Sequence, residues 1–214
     1  MNPWLTIPLE DYEAHMSLPA VNQAALMADI LACVCDTYRP ASLALLGCAG
    51  GHGLDRVDPA IVSRIVAIDI NGSYAQRARE RFAERFHAFS AFVADIERDP
   101  LPIVPVRLAF GALVFEYVDP VAAMRNVTPL LEPGGALVTV IQLPGSAAEA
   151  VTPSPYEAIQ RLSGVMRLRS VEEMRAAAER SGFTEVDVCD TESSAGKRFA
   201  IQVFTIPEKP RQNA

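Results

Sequence analysis

The sequence predicts an α/β fold, a doubly wound, seven-stranded sheet that is mostly parallel with an antiparallel last strand. Three observations carry this. Apolar runs of strand length alternate with helical segments from about residue 41 onward, the pattern of a sheet covered by helices on both faces. The final two runs are linked only by Glu192–Lys197. A parallel crossover needs about a dozen residues or more, so these two strands must run antiparallel. The chain has 214 residues, 50% of them hydrophobic, enough for one sizeable core and one domain.

Each element follows in order. Residues 1–40 read as an N-terminal arm and a helix over about Pro19–Thr37, packing on or over a pocket. Leu43–Leu46 is a short apolar run that ends in glycines, as a buried first strand would. Arg64–Asp69 is β-branched and ends in an acid, giving strand two, and Leu54–Val62 between them has room for a short helix. Tyr74, Ala78, Phe82 and Phe86 recur every four residues, an apolar stripe on an otherwise charged helix. Phe89–Ala94 is strand three and Val106–Phe115 strand four, with a proline-rich loop between. Asp119–Leu131 is the next helix, stopped by Glu-Pro-Gly-Gly at 132–135, and Ala136–Leu143 is strand five. Pro144–Pro155 reads as a mobile loop, and Ser170-Val-Glu-Glu173 has the form of a capping box that opens the last helix. Val186–Cys189 and Phe199–Ile206 complete the sheet at residue 206, leaving 207–214 as a flexible tail.

Composition removes several functions. The net charge of −7 disfavours a nucleic-acid partner, which needs clustered Lys and Arg to neutralise phosphates. The one basic cluster, Arg77, Arg79, Arg81 and Arg85, is interleaved with Glu80 and Glu84 and reads as a solvated helix face. No apolar stretch, Leu108–Phe115 included, approaches the roughly 20 residues of a membrane helix. The start of the chain lacks a basic segment followed by an apolar one, so no leader is expected. Cys33, Cys35, Cys48 and Cys189 form no CxxC pair and have no His at metal spacing. We read all four as small buried apolar groups in a reducing, cytoplasmic setting, with no metal site.

The strongest chemical signal is the turn Gly47-Cys48-Ala49-Gly50-Gly51-His52-Gly53 after strand one. Glycines there let backbone amides approach a ligand, and a helix starting near His52 or Gly53 would aim its N-terminus at the same place. Asp69 follows 18 residues after Gly51, at the carboxyl end of the next strand. An acid at about this offset accepts hydrogen bonds from ribose hydroxyls, although it also serves as a simple strand-end cap. The dinucleotide fingerprint G-x-G-x-x-G cannot be threaded. Starting at Gly51, its third glycine falls on Arg56; starting at Gly47, Ala49 and His52 occupy the other positions. A nucleoside joined to something smaller than a pyrophosphate fits better.

Leu43–Gly53, Ile65–Ile70 and Val93–Ile96 together resemble the first three motifs of the class I S-adenosylmethionine-dependent methyltransferases, a Rossmann-like family, over roughly residues 40–206. The resemblance implies S-adenosyl-L-methionine as cofactor and S-adenosyl-L-homocysteine as product. It implies that Gly47, Cys48, Ala49 and Gly51 hold the methionine part and Asp69 the ribose. Ile70 would pack on adenine, Asp95 and Ile96 would meet its edge, and Phe115, Glu116 and Tyr117 would border the methyl. Two positions depart from the family: Leu45 stands where an acid often binds the methionine amino group, and Ala49 replaces a glycine. In relatives an N-terminal segment often covers the donor, which brings in Tyr12 and His15. With Glu116 they are the candidate catalytic groups for an acceptor that must lose a proton. Phe115-Glu116-Tyr117 replaces the Asn-Pro-Pro-Tyr type of sequence used to methylate base amino groups. The implied partner is therefore a small-molecule acceptor, with no nucleic acid, no membrane and room for a homodimer. The rival readings are a non-catalytic donor-binding protein, a nucleotide-dependent oxidoreductase, and a protein or RNA methyltransferase.

Overall fold

The computed structural model describes residues 2–145 and 149–208. Residues 146–148 of the expected loop and 209–214 of the expected tail lie outside the described residues. Seven strands form one sheet: β1 (Ser42–Leu46), β2 (Arg64–Asp69), β3 (Ala88–Val93), β4 (Val106–Ala112), β5 (Leu131–Gln142), β6 (Thr184–Glu192) and β7 (Arg198–Thr205). Their order is β3-β2-β1-β4-β5-β7-β6. The first five run parallel, while β7 lies antiparallel between β5 and β6. The helices are α1 (Leu9–Ser17), α2 (Ala24–Tyr38), α3 (Gly72–Phe82), α4 (Pro120–Val127), the short α5 (Glu157–Gln160) and α6 (Val171–Arg180).

Period-two alternation divides each central strand between two cores. Ala44, Leu46, Val66 and Ile68 face α4 and α6. Leu43, Leu45, Ile65 and Ala67 face α2 and α3. Both faces are buried, so the strands read as near-continuous apolar runs. A third, small cluster joins Ile7 to Val151, Ile159 and Leu162, tying the N-terminal arm to the segment after β5. Val151 is thus packed within the stretch expected to be mobile.

Several elements differ from the sequence expectation. No helix forms between β1 and β2; residues 49–57 run through successive turns and bends. Ala49, Gly50, Gly51 and Gly53 all adopt positive φ, which a right-handed helix excludes. Leu54 and Val57 still reach the core, and Arg85 holds the turns by donating to the carbonyls of Asp55 and Val57, each at 3.0 Å. Arg81 pairs with Glu13 on α1, so this arginine face ties down neighbouring segments as well as meeting solvent. The arm contains a helix of its own, α1, and α2 begins only at Ala24, after Asn22 turns at φ 45°. Glu132–Gly135 sits as a bulge inside β5, where the register jumps from Val106↔Leu131 to Leu108↔Ala136. The capping box forms: Ser170 accepts from the Glu173 amide and Glu173 from the Ser170 amide. Cys33 and Cys189 are exposed, contrary to expectation, because Cys189 lies on the edge strand β6; Cys35 and Cys48 are buried, and all four are free.

Candidate functional site

The chain passes from β1 to β2 on one side and later returns to β4 on the other, so the strand order reverses at β1. Ligands of open α/β sheets bind outside the carboxyl ends of the strands at such a point. A cavity of about 470 Å³ lies there, within the usual size range of small-molecule sites.

Its floor comes from three strand ends. Gly47 and Cys48 donate their amides to the Ile68 carbonyl at 2.9 and 3.0 Å, locking the β1 turn onto β2. Asp69, at the end of β2, accepts the Ala49 amide at 3.0 Å on one oxygen and the Asn71 amide at 2.9 Å on the other. Each oxygen keeps a lone pair for a ligand in the cavity that it lines. Burial pushes the Asp69 carboxyl up to about 6, against the pull of the Asn71 and Ala49 amides. Asp95 closes the floor; its Oδ1 accepts the Glu97 amide at 2.9 Å. Asn126 on α4 holds this loop by donating to the carbonyls of Ile96 and Asp99.

Six of the nine sequence-selected cofactor positions border the cavity: Gly47, Ala49, Asp69, Ile70, Asp95 and Ile96. Three do not. Cys48 is buried in the core between sheet and α2. Gly51 faces away, and a Cβ there would meet the Phe82 ring at 2.7 Å; its role is close approach to α3. Phe115, expected at the methyl, is fully buried in the α4 and α6 core. Strand β4 stops at Ala112 and Leu113 turns at φ 56°. Leu113, Val114 and Tyr117 line the cavity in its place.

The roof is aromatic. Trp4 stands edge-on to Tyr12 at 5.6 Å and to Tyr117 at 5.0 Å, and Tyr12 lies 6.3 Å from Tyr74. The arm is tied to the floor: Asn71 donates to the Trp4 carbonyl at 2.8 Å and the Tyr74 hydroxyl to the Ile7 carbonyl at 3.1 Å. Trp4 was not singled out in the sequence, although it is the single tryptophan and lies in the segment expected to cover the pocket.

The candidate catalytic groups separate. Tyr12 lines the cavity, with its hydroxyl proton held tightly by burial and by the charge of Asp69. His15 lines a smaller inner cavity behind the aromatic wall, and burial and then Lys197 lower its pKa, keeping the imidazole neutral. Glu116 borders neither cavity. It is fully buried, accepts the Gln142 amide at 2.7 Å, and burial pushes it up to about 7. Among the described residues no cluster of three or more His, Cys, Asp or Glu could hold a metal, and no helix is long and apolar enough to cross a membrane.

This geometry fits a nucleoside carrying a small amino acid. Asp69, Ile70, Asp95 and Ile96 line the cavity together with Gly47 and Ala49. Comparison with known proteins agrees. Residues 45–139 match the family described as a methyltransferase domain. A malonyl-[acyl-carrier protein] O-methyltransferase of Alcanivorax borkumensis is 28% identical over 122 residues, 57% of this chain and 41% of that protein. The chain therefore spans about two fifths of that curated relative. The N-methyltransferase NodS of Bradyrhizobium japonicum, solved with S-adenosyl-L-homocysteine, superposes with TM-score 0.68 at 21% identity, covering 97% of this chain and 100% of that one. The [4+2]-cyclase SpnF shares the fold with TM-score 0.62 at 17% identity, over 78% and 75% of the two chains.

Proposed function

We propose that this chain transfers a methyl group from S-adenosyl-L-methionine to a small-molecule acceptor, as its match to the methyltransferase-domain family over residues 45–139 supports. The observation that carries the reading is Asp69, a buried carboxylate bracketed by the Ala49 and Asn71 amides and facing a cavity of nucleoside size. Asp69 would accept the ribose hydroxyls, Ile70 and Ile96 would sandwich the base beside Asp95, and the Gly47–Ala49 backbone would hold the amino-acid end.

The bound cofactor supplies an electrophilic methyl on a sulfonium. What the chain adds is alignment and a suitable field. The rings of Trp4, Tyr12 and Tyr117 form a wall that favours a cation over the product, since aromatic faces attract positive charge. Holding the acceptor in line with the methyl supplies much of the rate. Where the acceptor enters protonated, His15 is the group suited to take its proton, being neutral and with Nδ1 unpartnered among the described residues. Tyr12 would position and not deprotonate, and Glu116 would act only through the Gln142 backbone it anchors. A small acceptor suits the roofed site and the acidic chain.

Trp4, the single tryptophan, lines the cavity and reports on it. S-adenosylmethionine and S-adenosylhomocysteine should each change its emission saturably, and NAD should not. Either sulfur compound at 100 times its dissociation constant should add about 2.7 kcal/mol of stability. If neither moves the emission nor the melting transition, the reading fails.

A further inference from the structure

Behind the aromatic wall lies a second cavity of about 40 Å³, room for about three waters. It shares Trp4, Tyr12, Leu113 and Tyr117 with the larger one. Its apolar side is closed by Val151, Ile159 and Leu162 of the roof cluster. Its polar side is made by Lys197, Gln142, Gln23 and His15, which are 2%, 1%, 4% and 6% exposed.

Lys197 is one of only two lysines in a chain with 17 arginines, and it stands in the turn between β6 and β7. Its ammonium donates to the Ala150 carbonyl at 2.9 Å and to Gln142 Oε1 at 3.5 Å. Among the described residues it forms no ion pair with a carboxylate. Burial lowers it to about 8, so it is still mostly charged at neutral pH. Gln142 turns its oxygen toward the lysine, and its Nε2 has no acceptor among the described residues; Gln23 Nε2 likewise has none. Buried donors without acceptors and a buried cation without a counter-charge are both costly. His15 lines the same cavity with its Nδ1 unpartnered, and no carboxylate among the described residues lines it, so the polar wall holds two donors without acceptors and a cation without a negative charge.

We propose that this inner cavity anchors the methyl acceptor through a carboxylate, so that the substrate class is a small aliphatic acid. The carboxylate sits against Lys197 Nζ and the amide groups of Gln142 and Gln23. Its aliphatic carbons lie on Val151, Ile159 and Leu162, and the acceptor atom points between Tyr12 and Tyr117 toward the outer cavity. A planar carboxylate matches this wall, where a neutral amide would turn a donor against donors. The inference rests on the cofactor reading of the outer cavity for what the acid is there to receive; the acid site itself can be measured without cofactor.

Butanoate and its isostere butanamide serve as probes, titrated by calorimetry and Trp4 emission with and without S-adenosylhomocysteine. Butanoate should bind at least tenfold more tightly than butanamide. Lys197→Met should weaken butanoate at least tenfold and leave S-adenosylhomocysteine affinity within twofold. Equal binding of the two probes overturns the proposal, as does undiminished butanoate affinity in a folded Lys197→Met variant. If that variant does not fold, the butanoate-to-butanamide ratio on the unaltered chain decides alone, with Gln23→Leu expected to reduce that ratio at least threefold. Butanoate preference without any S-adenosylhomocysteine binding would sink the cofactor reading and leave the acid site standing.

Discussion

The floor of the outer cavity is built from neighbouring strand ends between Gly47 and Ile96, whereas its roof and inner chamber gather Trp4, Tyr12, Leu113, Val151, Leu162 and Lys197 from four separate stretches of chain. On the floor, backbone amides fix each acid: Ala49 and Asn71 hold Asp69, and Glu97 holds Asp95. In the roof, apolar and aromatic contacts dominate, and polar groups are left without partners. A locally encoded surface whose acids are fixed by backbone amides suits a ligand that does not change. A non-local surface can be altered by substitutions far apart in the chain without disturbing that ligand. Under the proposed function the floor would hold the cofactor and the roof would choose the acceptor.

The largest effect should come from breaking the packing behind the floor. Gly51 has φ +83° and an added Cβ would lie 2.7 Å from the Phe82 ring. Gly51→Ala combines left-handed strain with overpacking and should cost about 3 kcal/mol of stability, read by chemical unfolding. A neutral outcome would mean that the turn run after β1 is not seated on α3. Next in size, Asp69→Ala should weaken S-adenosylhomocysteine by roughly 1.5–3 kcal/mol, the worth of hydrogen bonds to a charged group. Unchanged affinity would return Asp69 to a strand-end cap.

A smaller effect tests the charge on that same acid. The free carboxyl sits at about 6 because burial raises it. Ribose hydroxyls donate to the ionised form, so the cofactor should bind Asp69 deprotonated. Below pH 6 binding must expel a proton, and affinity should climb as pH rises toward 6 and level off above it. From pH 5 to pH 7 the gain is about tenfold. Asp69→Asn should remove this dependence. A flat profile in the unaltered chain would mean that the ligand does not contact the carboxylate.

The same division governs what the sequence discloses. Strands such as Arg64–Asp69 are legible because a doubly covered sheet demands continuous apolar runs, and the acid at such a strand's end is found by spacing alone. The helix expected after β1 fails because four of the five residues 49–53 take positive φ, Ala49 among them, and that is a tertiary outcome. Phe115 is misplaced for a related reason: Leu113 takes a left-handed turn that nothing in its side chain announces. Lys197 looks like any polar hairpin residue until Ala150 and Gln142 bury it. No periodicity or spacing encodes that burial.

The smallest effect asks whether roof and floor are one structure. Trp4 is joined to the floor through its backbone, by the bond its carbonyl accepts from Asn71, and to the rest of the roof through its ring, edge-on to Tyr12 and Tyr117. Trp4→Ala keeps the first link and deletes the second. An aromatic pair is worth about 0.5–1.5 kcal/mol beyond its buried area, so S-adenosylhomocysteine affinity, measured by calorimetry, should fall about fivefold if the wall packs on the ligand. Removing the indole also opens the partition between the two cavities, so the preference for butanoate over butanamide should shrink as water enters around Lys197. If both quantities stay fixed, the arm does not close the site in solution. If only the acid preference drops, the roof belongs to the acceptor alone, and the cofactor is held entirely by the strand ends beneath it.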